Sequence, residues 1–335
     1  MTNRLHRILA GFLLVAFLAA GILSLLFIDF LTTPLASSRR VVIEKKWSLT
    51  RIAQFLEAEQ VISSAHGFVL LAHFHRRNIR LHAGEYRFEP GETPPRILIR
   101  LEQGDVVRYR FSFPEGLTAR EVAARMEDQG WNEASTLIRD GALVKKLGLE
   151  APALEGWLFP ETYFFIRGES AMEMLARMTR TARVTLDREW ANRDPGVDLT
   201  TPLQALILAS IIEKETGLAS ERSRISGVFH NRLRRNMRLE SDPTVIYGAT
   251  DYQGDITRKH LTTPTPYNTY TRSGLPPTPI CNPGRASIHA ALHPERTDEL
   301  FFVARGDGSH VFSGNFQEHK ENVNRFLKRK ANVRP

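Results

Sequence analysis

The chain has 335 residues, 42% of them hydrophobic and 24% charged, which leaves room for two domains and a sizeable core. Lysine and arginine outnumber aspartate and glutamate by 45 to 37. The basic residues are scattered, without the long block or interleaved aromatics of a nucleic-acid surface, so no nucleic-acid partner is expected. The single cysteine, Cys281, excludes an internal disulfide framework and a cysteine-based zinc site.

Residues 8–28 carry no charge and are long enough to cross a bilayer as a helix. The small residues Ala19, Ala20 and Gly21 offer a signal-peptide cleavage site, but the apolar run continues past them. An uncleaved single-pass anchor is therefore expected, with residues 1–37 as N-terminus, anchor and linker. Arg4, His6 and Arg7 before the run favour a cytoplasmic N-terminus. That bias is modest, because Arg39, Arg40, Lys45 and Lys46 follow near the other end. The bulk of the chain then lies outside the cytoplasmic membrane.

After Pro34, Val41-Val42-Ile43 reads as a strand. Ser48 has the character of an N-cap, and Ile52, Ala53, Phe55 and Leu56 follow at helical spacing. A second helix is expected through residues 68–71, an alternating strand over 84–88, and a helix opened by Pro94-Pro95 through Ile97, Leu98 and Leu101. This strand–helix–helix–strand order over residues 38–107 resembles a LysM-like module, a small α/β fold that binds N-acetylglucosamine-containing glycans. SLTRIA at 48–53 has an echo in GLTAREVA at 116–123, each copy following a β-rich stretch and starting a helix. Two copies are too few for a solenoid.

Residues 155–165, EGWLFPETYFF, are dense in aromatics. They read equally as core or as the stacking wall of a sugar cleft. A helix follows from Ala171 to about Asn192, broken by Pro195 and Gly196, and Pro202 opens another. That helix is apolar through residues 206–212 and then carries Glu213 and Glu215 into Gly217. At 100° per residue, Glu215 shares a face with Ile207 and Ile211, whereas Glu213 lies about 200° away. Glu215 thus leaves the buried face, where desolvation raises a carboxyl pKa and suits it to general acid catalysis. Alternatively, both glutamates solubilise a helix end, although the helix dipole disfavours anions there.

Downstream, Ser220 is read as the cap of a helix carrying Ile225, Val228, Phe229 and Leu233, with Asn231 midway. Residues 239–284 are rich in proline, glycine, asparagine and tyrosine, which implies rigid irregular loops without an ordered sheet. His289 and His293 share a helical face. A satisfied or exposed pair is the expected reading, and no metal ligand spacing stands out.

The runs ASIIEKET (209–216), NRL (231–233), MRL (237–239), SDPTVIYG (241–248), YNTY (267–270) and GLPP (274–277) occur in this order. Together they resemble the YceG-like endolytic murein transglycosylases, the MltG family, over nearly the whole chain. The resemblance implies an α+β protein: a transmembrane helix, the LysM-like module, and a mostly helical, lysozyme-like catalytic domain with irregular loops over 108–335. It implies a single-pass inner-membrane enzyme with a periplasmic catalytic domain. Such an enzyme cuts MurNAc–GlcNAc β-1,4 bonds inside nascent peptidoglycan strands, leaves 1,6-anhydro-MurNAc ends and limits strand length, without cofactor or metal. In that family the second glutamate of the Glu-Lys-Glu-Thr run is catalytic, which maps onto Glu215. By motif position Glu213, Asn231, Asp242, Tyr247, Tyr267, Asn268 and Tyr270 are substrate-binding candidates, with Glu161 and Arg222 as further supports for Glu215. The implied partners are peptidoglycan glycan strands and peptidoglycan synthases of the elongation or division machinery. A hydrolytic muramidase, with Asp242 or another carboxylate assisting water, and a non-catalytic anchored glycan-binding scaffold are the alternatives.

Overall fold

The computed structural model describes residues 2–76 and 79–331, with side chains for 6, 7, 9–76 and 79–326. The Arg4 side chain, part of the orientation signal, lies outside them. The chain forms two compact units, one of residues 1–110 and 164–169, the other of 111–163 and 170–335.

The first unit opens with α1 (Thr2–Thr32), whose stretch Leu9–Thr32 has a mean hydropathy of 2.7 and is long enough to span a membrane. Strand β1 (Arg39–Ile43) pairs antiparallel with β2 (Gly84–Phe88), from Arg39 opposite Phe88 to Ile43 opposite Gly84. Between them lie α2 (Leu49–Ala58) and α3 (Ala65–His75), and α4 (Pro94–Gln103) follows. The caps explain the starts. The Ser48 hydroxyl accepts the Arg51 amide, the Ser64 hydroxyl accepts the Gly67 amide, and Pro94 fits a first helical turn, where its missing N–H has no intrahelical partner to lose. Val41, Ile43, Ile52, Leu56, Phe68, Tyr86, Phe88, Ile97 and Leu101 form the core, and Phe30 of α1 is buried in it.

Strands β3 (Arg108–Ser112) and β4 (Thr162–Ile166) form a second two-stranded sheet, through which the chain leaves the first unit and returns. Residues 164–169 group with the first unit because Phe165 packs on Tyr109, ring centres 5.6 Å apart, and Arg167 reaches Glu85 at 3.5 Å.

The second unit contains α5 (Ala119–Glu127), α6 (Ala134–Arg139), α7 (Gly141–Lys146), α8 (Ala171–Ala191) and α9 (Pro202–Glu215). After these come α10 (Arg222–Arg234), α11 (Asp242–Gly248), α12 (Arg258–Thr262), α13 (Arg285–Leu292), the hairpin β5 (Phe301–Ala304)–β6 (His310–Ser313) and α14 (Phe316–Ala331). Capping boxes Thr118/Glu121 and Ser170/Glu173 start α5 and α8. Thus the two repeat copies both open helices, but the caps are Ser48 and Thr118, at different positions of the repeat. Helix α9 is the centre: α8, α10, α11 and α13 all pack on it, and every residue from Ala205 to Ile212 is buried.

Two details differ from the sequence reading. Ser220 does not cap α10; it lies in a 3₁₀ turn, Ala219–Glu221, and α10 begins after Glu221 without a side-chain cap. The loops of 239–284 hold two short helices, α11 and α12, and no strand among the described residues. Proline at the start of α11 and the Thr257 cap of α12 support one or two turns each.

The aromatic stretch docks through a glycine. Gly156 has φ +83°, and a Cβ there would stand 2.5 Å from Cγ of Pro279. Left-handed backbone alone costs roughly 1–2 kcal/mol for a residue with a Cβ. With the clash against a proline ring, Gly156→Ala is expected to lower unfolding free energy by roughly 3 kcal/mol in a denaturant titration. A loss below about 1 kcal/mol would show that the loop yields.

Candidate active site

Helix α9 delivers its last residue to a crowded place. Thr201 caps its start and Pro202 sets its first turn; at the other end Thr216 turns extended, with φ −143° and ψ 136°. Glu215 is therefore the last helical residue, half-buried at the C-terminal end of an otherwise enclosed rod. Its Oε1 accepts a short hydrogen bond from the Ser241 hydroxyl, while Oε2 makes no hydrogen bond to the described residues. Burial pushes the Glu215 carboxyl up to about 7, against the pull of the Ser241 hydroxyl. The Asp242 carboxylate pushes the same way as burial, and the Arg232 guanidinium opposes it.

Ser241 is itself held in place. Its amide donates to Thr269 Oγ1 at 3.0 Å, and Thr269 Oγ1 lies 2.8 Å from Thr244 Oγ1. Thr244 in turn donates to the Ser241 carbonyl at 2.6 Å. Arg232, buried in α10, anchors the strand of chain leading to Ser241: its guanidinium donates to the carbonyls of Leu239 at 2.9 Å and Arg238 at 3.2 Å, and to Leu300 at 2.6 Å. Beside them the Tyr270 hydroxyl donates to Asp242 Oδ1 at 2.7 Å. Glu215, Asp242 and Tyr270 are thus the sequence candidates that the fold brings together.

The others lie elsewhere. Glu213 Oε2 accepts the Gly284 amide at 2.9 Å and so sits on the N-terminus of α13, where the helix dipole favours an anion. The Asn231 amide donates to the carbonyls of Thr297 and Glu299, at 2.7 and 2.9 Å. The Asn268 amide donates to His260, Leu261 and Thr263, and its Oδ1 accepts the Tyr270 amide at 2.9 Å. Tyr247 and Tyr267 meet edge to face, 4.8 Å between ring centres, and the Tyr267 hydroxyl lies 2.8 Å from Thr278 Oγ1. Glu161 is exposed and Arg222 half-buried; neither has a hydrogen bond to Glu215.

A second raised carboxyl was not anticipated. Glu155 accepts the Ala119 amide at 2.9 Å and the Tyr247 hydroxyl at 3.0 Å. Burial pushes it up to about 7, against both of those hydrogen bonds. The only sequence signal was its place at the head of EGWLFPETYFF. Ser241 and Arg232 lie inside the sequence motifs, but their roles are not readable there, since Ser241 acts on a group 26 residues away and Arg232 on backbone carbonyls.

As to metals, Glu189, His289 and His293 bring ligand atoms within 4.8 Å of one another. The Nδ1 atoms already face carboxylates, His289 to Glu189 at 2.9 Å and His293 to Asp194 at 2.7 Å, and Arg285 also binds Glu189 at 2.8 Å.

A model of the YceG-like family matches residues 41–325. An endolytic murein transglycosylase of Bacillus subtilis (strain 168) is 30% identical over 305 residues, covering 84% of this chain and 83% of that protein. One from Streptococcus pneumoniae (strain R6) is 29% identical over 234 residues, 66% of this chain; the chain spans 41% of that protein's length. A crystal structure of a YceG-like protein from Listeria monocytogenes superposes with a TM-score of 0.55 at 30% identity, covering 86% of this chain and 99% of that one.

The raised carboxyls set a pH dependence of stability. With folded values of about 7 against an ordinary 4.5, Glu155 and Glu215 stay protonated when folded at pH values where the unfolded chain has released both protons. Their contribution is full below 4.5 and is lost as pH rises towards about 7. Melting temperature should therefore decline over that interval, and Glu155→Gln should flatten the decline. An unchanged slope would show that Glu155 does not hold its proton.

Proposed function

The chain belongs to the YceG-like family, and from that premise we propose how it works: it is an endolytic murein transglycosylase whose acid is Glu215. Its substrate is the glycan strand of peptidoglycan. The observation that carries the catalytic assignment is the half-buried Glu215 carboxyl, pushed up to about 7, with one oxygen bound by Ser241 and the other without a hydrogen-bond partner among the described residues.

In this reading, protonated Oε2 donates to the glycosidic oxygen as the bond from MurNAc C1 breaks. The carboxylate so formed takes the proton of the muramic C6 hydroxyl, and O6 closes onto C1 to leave a 1,6-anhydro end. One group serves as acid and then base, as a pKa near the working pH allows. The N-acetyl carbonyl of the substrate stabilises the cationic transition state, so a second carboxylate is not required as nucleophile, unlike in two-carboxylate glycosidases. Asp242 keeps the Glu215 proton in place by repulsion, and Tyr270 holds Asp242. Tyr247 and Tyr267 hold the loops around Glu155 and Thr278 in shape. Glu213 and Asn268, whose bonds are to backbone, and Asn231, whose amide nitrogen binds two carbonyls while its oxygen accepts from Arg234, act by holding the loops.

Helix α1 spans the inner membrane once, with the N-terminus cytoplasmic and the catalytic unit periplasmic; its length and hydropathy support this. The β1–α2–α3–β2 order supports a LysM-like glycan-binding role for the first unit. Peptidoglycan synthases of elongation or division are the natural partners of an enzyme that trims nascent strands.

Glu215→Gln should still fold cooperatively yet lose about 10²–10⁴-fold in cleavage of uncrosslinked glycan; full retained activity removes Glu215 from the mechanism. Mass spectrometry of wild-type products should show anhydro ends. Reducing ends would make the enzyme a muramidase, and strands left uncut at any concentration would leave only a glycan-binding scaffold. Since the acid must be protonated, rate should fall as pH rises through about 7. Asp242→Asn removes a neighbouring negative charge, favours the Glu215 anion and should move that fall to lower pH. A fall that stays in place would show that Asp242 exerts no field on Glu215.

A further inference from the structure

Helix α3 carries an apolar tip that stays largely exposed. Phe74 is 76% and Leu70 46% exposed, four residues apart on one face. Most of the other exposed large hydrophobic side chains of the first unit belong to α1 itself, Leu9 to Ile28. The tip is also continuous with that surface. A Cβ on Gly67 would stand 3.0 Å from the Phe30 ring, so the start of α3 lies against the end of α1. Seven residues on, the Phe74 ring lies 6.3 Å from that of Phe27, which in turn stacks at 6.2 Å on Phe30. Helix α3 therefore runs back along α1 towards its apolar span, and Phe74 stands beside residue 27, inside the stretch Leu9–Thr32.

The surroundings of Phe74 have the composition of a membrane interface. His73, His75 and Arg76, its neighbours in the chain, are all exposed. His75 and Arg76 also reach Glu102 on α4, at 3.0 and 3.3 Å, which holds that end of α3 to its unit. An aromatic flanked by long cationic side chains suits the boundary between acyl chains and phosphates, with the ring in the apolar layer and the guanidinium groups at headgroup level.

We infer that the C-terminal end of α3 is a membrane foot: Phe74 and Leu70 enter the headgroup–acyl boundary of the bilayer around α1, and Arg76 meets lipid phosphates. The inference rests on α1 spanning that bilayer. Its consequence is that the first unit stands on the membrane at a set height.

The test uses the full-length chain in vesicles of phosphatidylethanolamine and phosphatidylglycerol. Cys281 is fully buried, so an added surface cysteine is the reactive one. Nitroxide labels go on Phe74→Cys, on Leu18→Cys within α1, and on Glu59→Cys. The last lies at the opposite end of α3, where Glu57 accepts the Ala65 amide at 3.0 Å. Labels at 18 and 74 should collide with oxygen and lose most of their collisions with a water-soluble nickel complex; the label at 59 should do the reverse. If 18 reads as lipid and 74 reads like 59, the foot is wrong while the anchor stands. If 18 itself reads as water, the anchor fails and the foot with it. A label at 74 shielded from both reagents would mean a protein contact and would also overturn the inference.

Discussion

The site depends on desolvating the last carboxyl of a helix enough that it holds its proton above the usual carboxylate range. Helix α9 is buried on every side from Ala205 to Ile212 and is enclosed by four other helices. Such a helix has no solvent face on which to place a charge, so its last turn must either emerge into water or hold a group that tolerates desolvation. The chain does both: Lys214 is exposed, whereas Glu215 remains half-buried. The helix dipole adds to the effect, because an anion at a C-terminus is unfavourable.

The surroundings balance that proton. Arg232 favours the anion and Asp242 disfavours it, and the Ser241 hydroxyl partly offsets desolvation. The balance matters for a group that must give up a proton and then recover one. A carboxyl kept too acidic would not donate, and one kept too basic would not accept. The threonine pair Thr244 and Thr269 fixes the Ser241 hydroxyl, and Arg232 fixes the chain before it, so the electrostatic setting is held by groups that do not touch Glu215.

Much of this was legible in the sequence, and the parts that were not share a cause. Helix α2 is legible from its serine cap and apolar spacing, α8 from the breakers Pro195 and Gly196 beyond its end, and β2 from its alternation, because those signals are local. Glu215 was picked by its helix face. Yet α9 is buried all round, so the face alone does not separate it from Glu213; what separates them is that Glu213 meets the Gly284 amide and Glu215 meets Ser241. Those partners lie 71 and 26 residues away in the chain. The same holds for Glu155, whose raised pKa comes from an enclosure completed by Tyr247, 92 residues on. The asparagines 231 and 268 fitted a sugar cleft by type, but their geometry is that of amides bracing irregular loops, a role that type alone does not reveal. The β5–β6 hairpin is not among the expected elements, because with four residues per strand its pattern is too short to stand out.

The central claim is a protonation state, and it can be measured on the resting enzyme. In ¹³C NMR of the full chain with carboxyl-labelled glutamate, the resonance that vanishes in Glu215→Gln should titrate with a midpoint near 7. A midpoint at the ordinary glutamate value of about 4.3 would show a charged, solvated carboxylate and contradict the account.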